Sequence, residues 1–274
     1  MKTYAKILAA LAAVAVLFLG RSYVLYLEDH PVHCSSTFTI SGEISADTFV
    51  AARECLVRYK AAKKTFVVEE SSGGDGASAM ALGLLIHRHD WDVEVIGLCA
   101  SSCASFIFPA GKTKYLHRDS MLLFHGDCYQ ENLMEMAVKF DQEAAMKGAP
   151  VKTVVLGQEN KEGTIRFTPG KTKAEQEVRE FFAIADSSSA VEQLTTLRGV
   201  CDRYYRELGL NPELSAHGQT GSYEPTYKSY KYGGFTYRLD SLRRLGIRDI
   251  ELKDGEWKPE LNPAYQDIYE VTYP

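Results

Sequence analysis

Residues 65–76 read TFVVEESSGGDG, residues 93–104 read VEVIGLCASSCA, and residues 121–126 read MLLFHG. Each stretch opens on a short run that is apolar or β-branched apart from Glu94: Thr65–Val68, Val93–Ile96 and Met121–Phe124. Such runs are what a strand buried on both faces requires. The first is followed by a helical pattern over residues 77–89. The second leads through a tight passage, Gly97–Ser101, into a short helix over residues 102–108. Alternation of this kind predicts an α/β fold, a core of parallel strands joined by crossover helices. Ligands of such sheets bind beyond the carboxyl ends of the strands. The glycine-rich turn at residues 71–76, Ser102 and His125 each follow a strand closely, so the alternation predicts all three at one sheet edge.

Outward from this core, Thr37–Ile40 reads as a strand and residues 46–60 as a helix, with Phe49, Leu56 and Val57 at helical spacing. On the other side, residues 131–147 look helical. Residues 148–172 look like a loop or small hairpin, and residues 174–208 are mainly helical with a break near Asp186–Ser189. Residues 131–210 are therefore expected to form a helical insertion or cap on a core of residues 34–130. Residues 211–274 complete the core: a strand-helix pattern resumes at Thr236–Ile247, in which a helix over Ser241–Leu245 precedes Gly246.

The N-terminus has a basic head with Lys2 and Lys6, then an uncharged run from Ile7 to Gly20, then Arg21 and the apolar SYVLYL of residues 22–27. That order is the pattern of an export signal. No small-x-small cleavage site precedes Arg21, so an uncleaved anchor over residues 1–27 is favoured over a cleaved signal peptide. Lys2 and Lys6 would stay cytoplasmic and the remainder would lie outside, on the periplasmic side of an inner membrane. The six cysteines fit an oxidising compartment. The 274 residues carry 31 basic and 36 acidic side chains, a net charge of −5, with no block of like charge, which argues against a nucleic-acid partner. Cys99 and Cys103 have no second pair at zinc-ligand spacing, and neither a metal nor a cofactor is implied.

A serine hydroxyl near neutral pH needs a base within hydrogen-bond reach and donors for the developing oxyanion. A serine at a helix start lies beside unpaired backbone N–H groups. Ser101 and Ser102 both qualify, and the small neighbours Ala100, Ala104 and Ser105 leave room for substrate. One of the two serines could instead cap the helix, Ser101 above all. A thiol nucleophile at Cys103 is a further reading, because a helix start lowers a thiol pKa.

Taken together, Ser71-Ser72-Gly73-Gly74, a helix, a strand, Cys99-Ala100-Ser101-Ser102-Cys103-Ala104, a helix, Ala110-Gly111, a strand and His125 resemble the Clp protease proteolytic subunit of the crotonase-like superfamily. The same order is similar to signal peptide peptidase A and to exported relatives of both. Ser72 stands where the family's turn has proline. The resemblance implies Ser102 as nucleophile, because Phe106, Ile107, Phe108 and Ala110-Gly111 then fall in register, whereas Ser101 requires one inserted residue. It implies His125 as base and the N–H groups of Gly74 and Cys103 as the oxyanion hole. It also implies a carboxylate near position 234, which is Gly234 here; Asp240, otherwise read as a helix cap, and Glu224 are the substitutes in range, and a dyad without an acid is the remaining option.

The function expected from this reading is a membrane-associated, extracytoplasmic serine peptidase acting on peptide or protein, self-associating by analogy with its relatives. The alternative is an inactive binding or scaffold protein of the same fold. A crotonase acting on coenzyme A thioesters is disfavoured by export and by the Ser/His pair.

Overall fold

The computed structural model describes residues 36–58, 64–130, 132–147, 154–156, 165–167, 172–184, 187 and 189–274. Residues 1–27, read from the sequence as an export segment, and Cys34 lie outside the described residues. Among the described residues, no helix is long and apolar enough to cross a membrane.

The core is a curled parallel sheet, as the alternation of apolar runs predicts. Its strands are β1 (Thr37–Ile44), β2 (Thr65–Gly74), β3 (Asp92–Val95), β4 (Leu98–Ala100), β5 (Lys114–Leu116), β6 (Met121–Leu123) and β10 (Ile250–Leu252). Their order is β10-β5-β3-β2-β4-β6, with β1 also on β2, and every ladder is parallel. The long strand β2 causes the curl. Its first half, Thr65–Val68, pairs with β3, while Ser71 pairs with Cys99 of β4. One strand thus passes from one set of neighbours to another, and its carboxyl end lies beside those of β4 and β6.

Helix α1 (Ala46–Arg58) crosses from β1 to β2, and α2 (Gly76–Arg88) from β2 to β3. Helix α2 is buried from Ala77 to Ile86, which is why its sequence ALGLLI is apolar on all faces. Asp75 starts it, accepting the Ser78 N–H at 2.7 Å. The buried charge of Asp75 is penalised, and its pKa is raised by burial against those hydrogen bonds.

The region read as an insertion holds α3 (Leu133–Lys147), the hairpin β7–β8 (Val154–Leu156 and Ile165–Phe167), α4 (Lys173–Phe182) and α5 (Ala190–Leu208). Leu133 and Ala137 of α3 pack on Ala190 and Leu194 of α5. The expected break near residues 186–189 is present: α4 ends on left-handed Ala183 and α5 begins with Ser189 as its cap. Asp141 reaches from α3 to that start, accepting the Ala190 N–H at 2.6 Å and the Ser189 hydroxyl at 2.7 Å. Helix α5 then runs back under the core, where the Tyr204 hydroxyl donates to the Phe106 carbonyl.

The chain returns through a short helix α6 (Glu224–Tyr227), β9 (Gly234–Tyr237), α7 (Leu239–Arg244), β10 and β11 (Ile268–Val271), with β9 and β11 forming their own parallel pair. Phe124, just after β6, exchanges two backbone hydrogen bonds of 2.7 Å with Phe235 of β9. Helix α7 starts two residues before the expected Ser241, with Arg238 at its cap position, so Asp240 sits in the first turn and is not the cap.

Candidate active site

Strands β2, β4 and β6 point their carboxyl ends at one cavity. It is lined by Gly74, Ser101, Ser102, His125 and Asp127, with Met80, Phe106 and Leu197 as its apolar wall. Its volume is about 20 Å3, room for a single water. The structure therefore brings the serine pair, the histidine and the glycine turn together at the edge where the alternation of elements puts them.

The two serines differ. Ser101 follows β4 directly and has φ of 58°, a left-handed conformation rare for a residue with a side chain. Its N–H donates to the Leu123 carbonyl at 2.8 Å, and its carbonyl accepts from Ser105 at 2.9 Å. Ser101 is partly exposed, and among the described residues no hydrogen bond uses its hydroxyl. Ser102 is in ordinary right-handed conformation and is 5% exposed. Its hydroxyl donates to the Gly74 carbonyl at 3.3 Å. Neither serine caps the following helix through its side chain, which corrects the cap reading: Ser102 holds the cap position without the bond, and left-handed Ser101 lacks the extended backbone a cap needs.

That helix is not an α-helix. Cys103–Ile107 is a π-helix, closed by the Phe108 N–H on the Cys103 carbonyl, and a 3-10 turn, Phe108–Ala110, completes it. Cys103 is fully buried and forms a disulfide with Cys99 across the serine pair. The thiol-nucleophile reading of Cys103 is thereby corrected, since the sulfur is held in a covalent bond.

Gly73 and Gly74 both have positive φ, 91° and 146°. A side chain on Gly73 would lie 2.6 Å from the Ser101 Cβ and from the Ala100 carbonyl, and 3.0 Å from the Ser102 nitrogen. A side chain on Gly74 would strike β1 instead, 2.2 Å from the Ile44 carbonyl. Gly73 thus makes room for the serines, while Gly74 makes room for the sheet and presents its carbonyl to Ser102.

His125 follows the Phe124–Phe235 bridge and is half-buried. Its backbone carbonyl accepts from the Gln219 side chain at 2.6 Å. Its Nδ1 is buried and has no hydrogen-bond partner. Burial pushes the imidazole pKa below its ordinary value, so the ring is neutral at neutral pH, as a base must be.

No described carboxylate hydrogen-bonds His125. Position 234 does lie beside it, because a side chain on Gly234 would come 3.3 Å from the His125 Cβ; the residue there is nevertheless glycine. Asp240 pairs with Arg244 at 3.3 Å, and Glu224 pairs with Lys228. The carboxylate in the cavity is Asp127, which sequence reading missed. It is 5% exposed, accepts the Tyr129 N–H at 2.9 Å and the Tyr205 hydroxyl at 2.5 Å, and has its pKa raised by burial against these bonds. The only sequence signal was a charge two residues past His125, near the end of the stretch read as core. The next residue, Cys128, forms a disulfide with Cys201 of α5, which holds this wall in place.

Among the described residues, no group of three acidic, histidine or cysteine side chains could hold a metal. No family model and no curated protein matches the chain.

Proposed function

We propose that this protein is a membrane-associated extracytoplasmic serine peptidase of the Clp/crotonase type, cleaving peptide or protein by acyl transfer. The observation that carries the reading is a hydroxyl pair and a neutral imidazole sharing one cavity at the carboxyl edge of a parallel sheet. A hydroxyl of the Ser101–Ser102 pair attacks the scissile carbonyl carbon and passes its proton to the His125 ring. The C–N bond then breaks and the imidazolium protonates the amine that leaves. Water, deprotonated by His125, attacks the acyl carbon and returns the serine hydroxyl. Export through residues 1–27 puts this chemistry outside the cytoplasm, where the two disulfides persist.

The binding or scaffold reading is favoured by three observations. The Ser102 hydroxyl is bonded to Gly74, the His125 Nδ1 has no partner, and glycine occupies position 234. A fluorophosphonate probe on the full chain separates the two. A peptidase is labelled at a rate that holds as pH falls to the ordinary histidine pKa of 6.5 and declines only below it, because burial depresses the His125 value. His125→Ala loses most of that labelling. Absence of labelling in the folded wild-type protein establishes the scaffold reading.

A further inference from the structure

We propose that Ser101, and not Ser102, is the nucleophile; the inference rests on the peptidase reading and names its reactive atom. The case for Ser102 is one of counting. Residues from the serine to Ala110-Gly111 fall in register with Ser102, and Ser101 requires one inserted residue. A π-helix is such an insertion: one extra residue accommodated within a helical turn without loss of the residues on either side. The helix that follows the pair is π over Cys103–Ile107. Counting back from Gly111 through a helix that holds one residue more arrives at Ser101.

Three independent features agree. Ser101 occupies the left-handed turn between strand and helix, φ 58°, and both its peptide groups are held, by Leu123 on β6 and by Ser105. A non-glycine residue held in that conformation between a strand and a helix is the geometry that lifts a serine hydroxyl out of a sheet toward substrate. Next, the hydroxyls are in different states. That of Ser102 is buried and donated to the Gly74 carbonyl, whereas Ser101, on the wall of the same cavity, is partly exposed and its hydroxyl enters no hydrogen bond among the described residues. Finally, Gly73 is needed for Ser101: its missing side chain would collide with the Ser101 Cβ at 2.6 Å.

The reassignment moves the oxyanion donors by one residue. The N–H after the nucleophile is that of Ser102, and Cys103 becomes an anchor, tied to Cys99 so that the disulfide closes over the turn. The Ser102 hydroxyl, bonded to the Gly74 carbonyl, ties that turn to the end of β2 and acts as a positioning group.

The test is to label the full-length protein with a fluorophosphonate probe and locate the adduct by fragmentation of the peptide spanning residues 89–112. The expected adduct is on Ser101. Ser101→Gly keeps the left-handed backbone without strain and should lose labelling by at least about 100-fold, since removal of a nucleophile costs far more than that in related chemistry. Ser102→Ala keeps its backbone N–H and should still carry the adduct on Ser101. An adduct on Ser102 in the wild type, or labelling of Ser101→Gly at the wild-type rate, overturns the inference and leaves the peptidase reading intact. Failure of the folded wild type to label at all overturns the peptidase reading itself.

Discussion

A methyl group added at Gly74 would sit 2.2 Å from the Ile44 carbonyl and 2.7 Å from the Ile44 nitrogen. Gly42, also at positive φ, has open space where its side chain would be. The two glycines therefore separate backbone strain from collision. Gly42→Ala should cost only the strain of a side chain at positive φ, about 1 kcal/mol. Gly74→Ala adds overpacking against the sheet and should cost roughly 2–4 kcal/mol in total. Thermal melts of the two variants check this, and equal melting temperatures would show that β1 yields at Ile44. Gly74 is thus a poor probe of an oxyanion hole, because its loss disturbs the sheet before it disturbs the chemistry. His125 belongs to the same scale. With the imidazole pKa depressed by burial, the unfolded chain binds the proton first, so His125 contributes stability above the ordinary value of 6.5 that is lost as pH falls toward its folded pKa.

At the scale of elements, two disulfides do different work. Cys99 and Cys103 are 4 residues apart, and closing so short a loop removes only about 2 kcal/mol of unfolded-state entropy. Its effect is local: it joins the end of β4 to the first residue of the π-helix and so clamps the serine pair. Cys128 and Cys201 are 73 residues apart, and the same relation gives on the order of 4 kcal/mol. That bond crosses from the loop beside His125 to helix α5. The paired variant Cys128→Ser/Cys201→Ser should therefore lower the unfolding free energy far more than Cys99→Ser/Cys103→Ser, as measured by denaturant titration. The reverse order would mean that the π-helix turn, and not the insertion, limits stability.

For the molecule as a whole, the insertion and the C-terminal segment are what complete the site. Helix α5 supplies Leu197 to the cavity wall and Tyr205 to Asp127, while β9 supports Phe124 and places Gly234 at His125. The site so built acts outside the cytoplasm under the proposed function, and a reporter fused after Pro274 that works only there should be active. Activity of a cytoplasm-only reporter at the same position would remove the oxidising compartment, and with it the reason for two disulfides.

Local patterns carried the sheet. Phe66, Val68, Val93, Val95, Met121, Leu122 and Phe124 are fully buried, and that requirement is written into the apolar runs that hold them. The same strands placed the glycine turn, the serines and His125 at one edge, since parallel strands present their carboxyl ends together. Strand β4 was not legible, because Leu98–Ala100 is too short for a periodicity and becomes a strand only by pairing with Ser71 and with β6. The π-helix was equally hidden: an inserted residue leaves no mark in composition, and Cys103–Ile107 lies between an anchored Ser101 and the buried Phe108. Asp127 was missed for a related reason. A charged residue past a strand end reads as solvated, and its burial comes from Tyr205, 78 positions away. Strand and turn chemistry depend on neighbours in sequence, so the chain alone determined the sheet and the residues along its edge. The different backbone and bonding of the two serines, and the carboxylate that shares their cavity, depend on contacts between distant segments, and only the tertiary structure decided them.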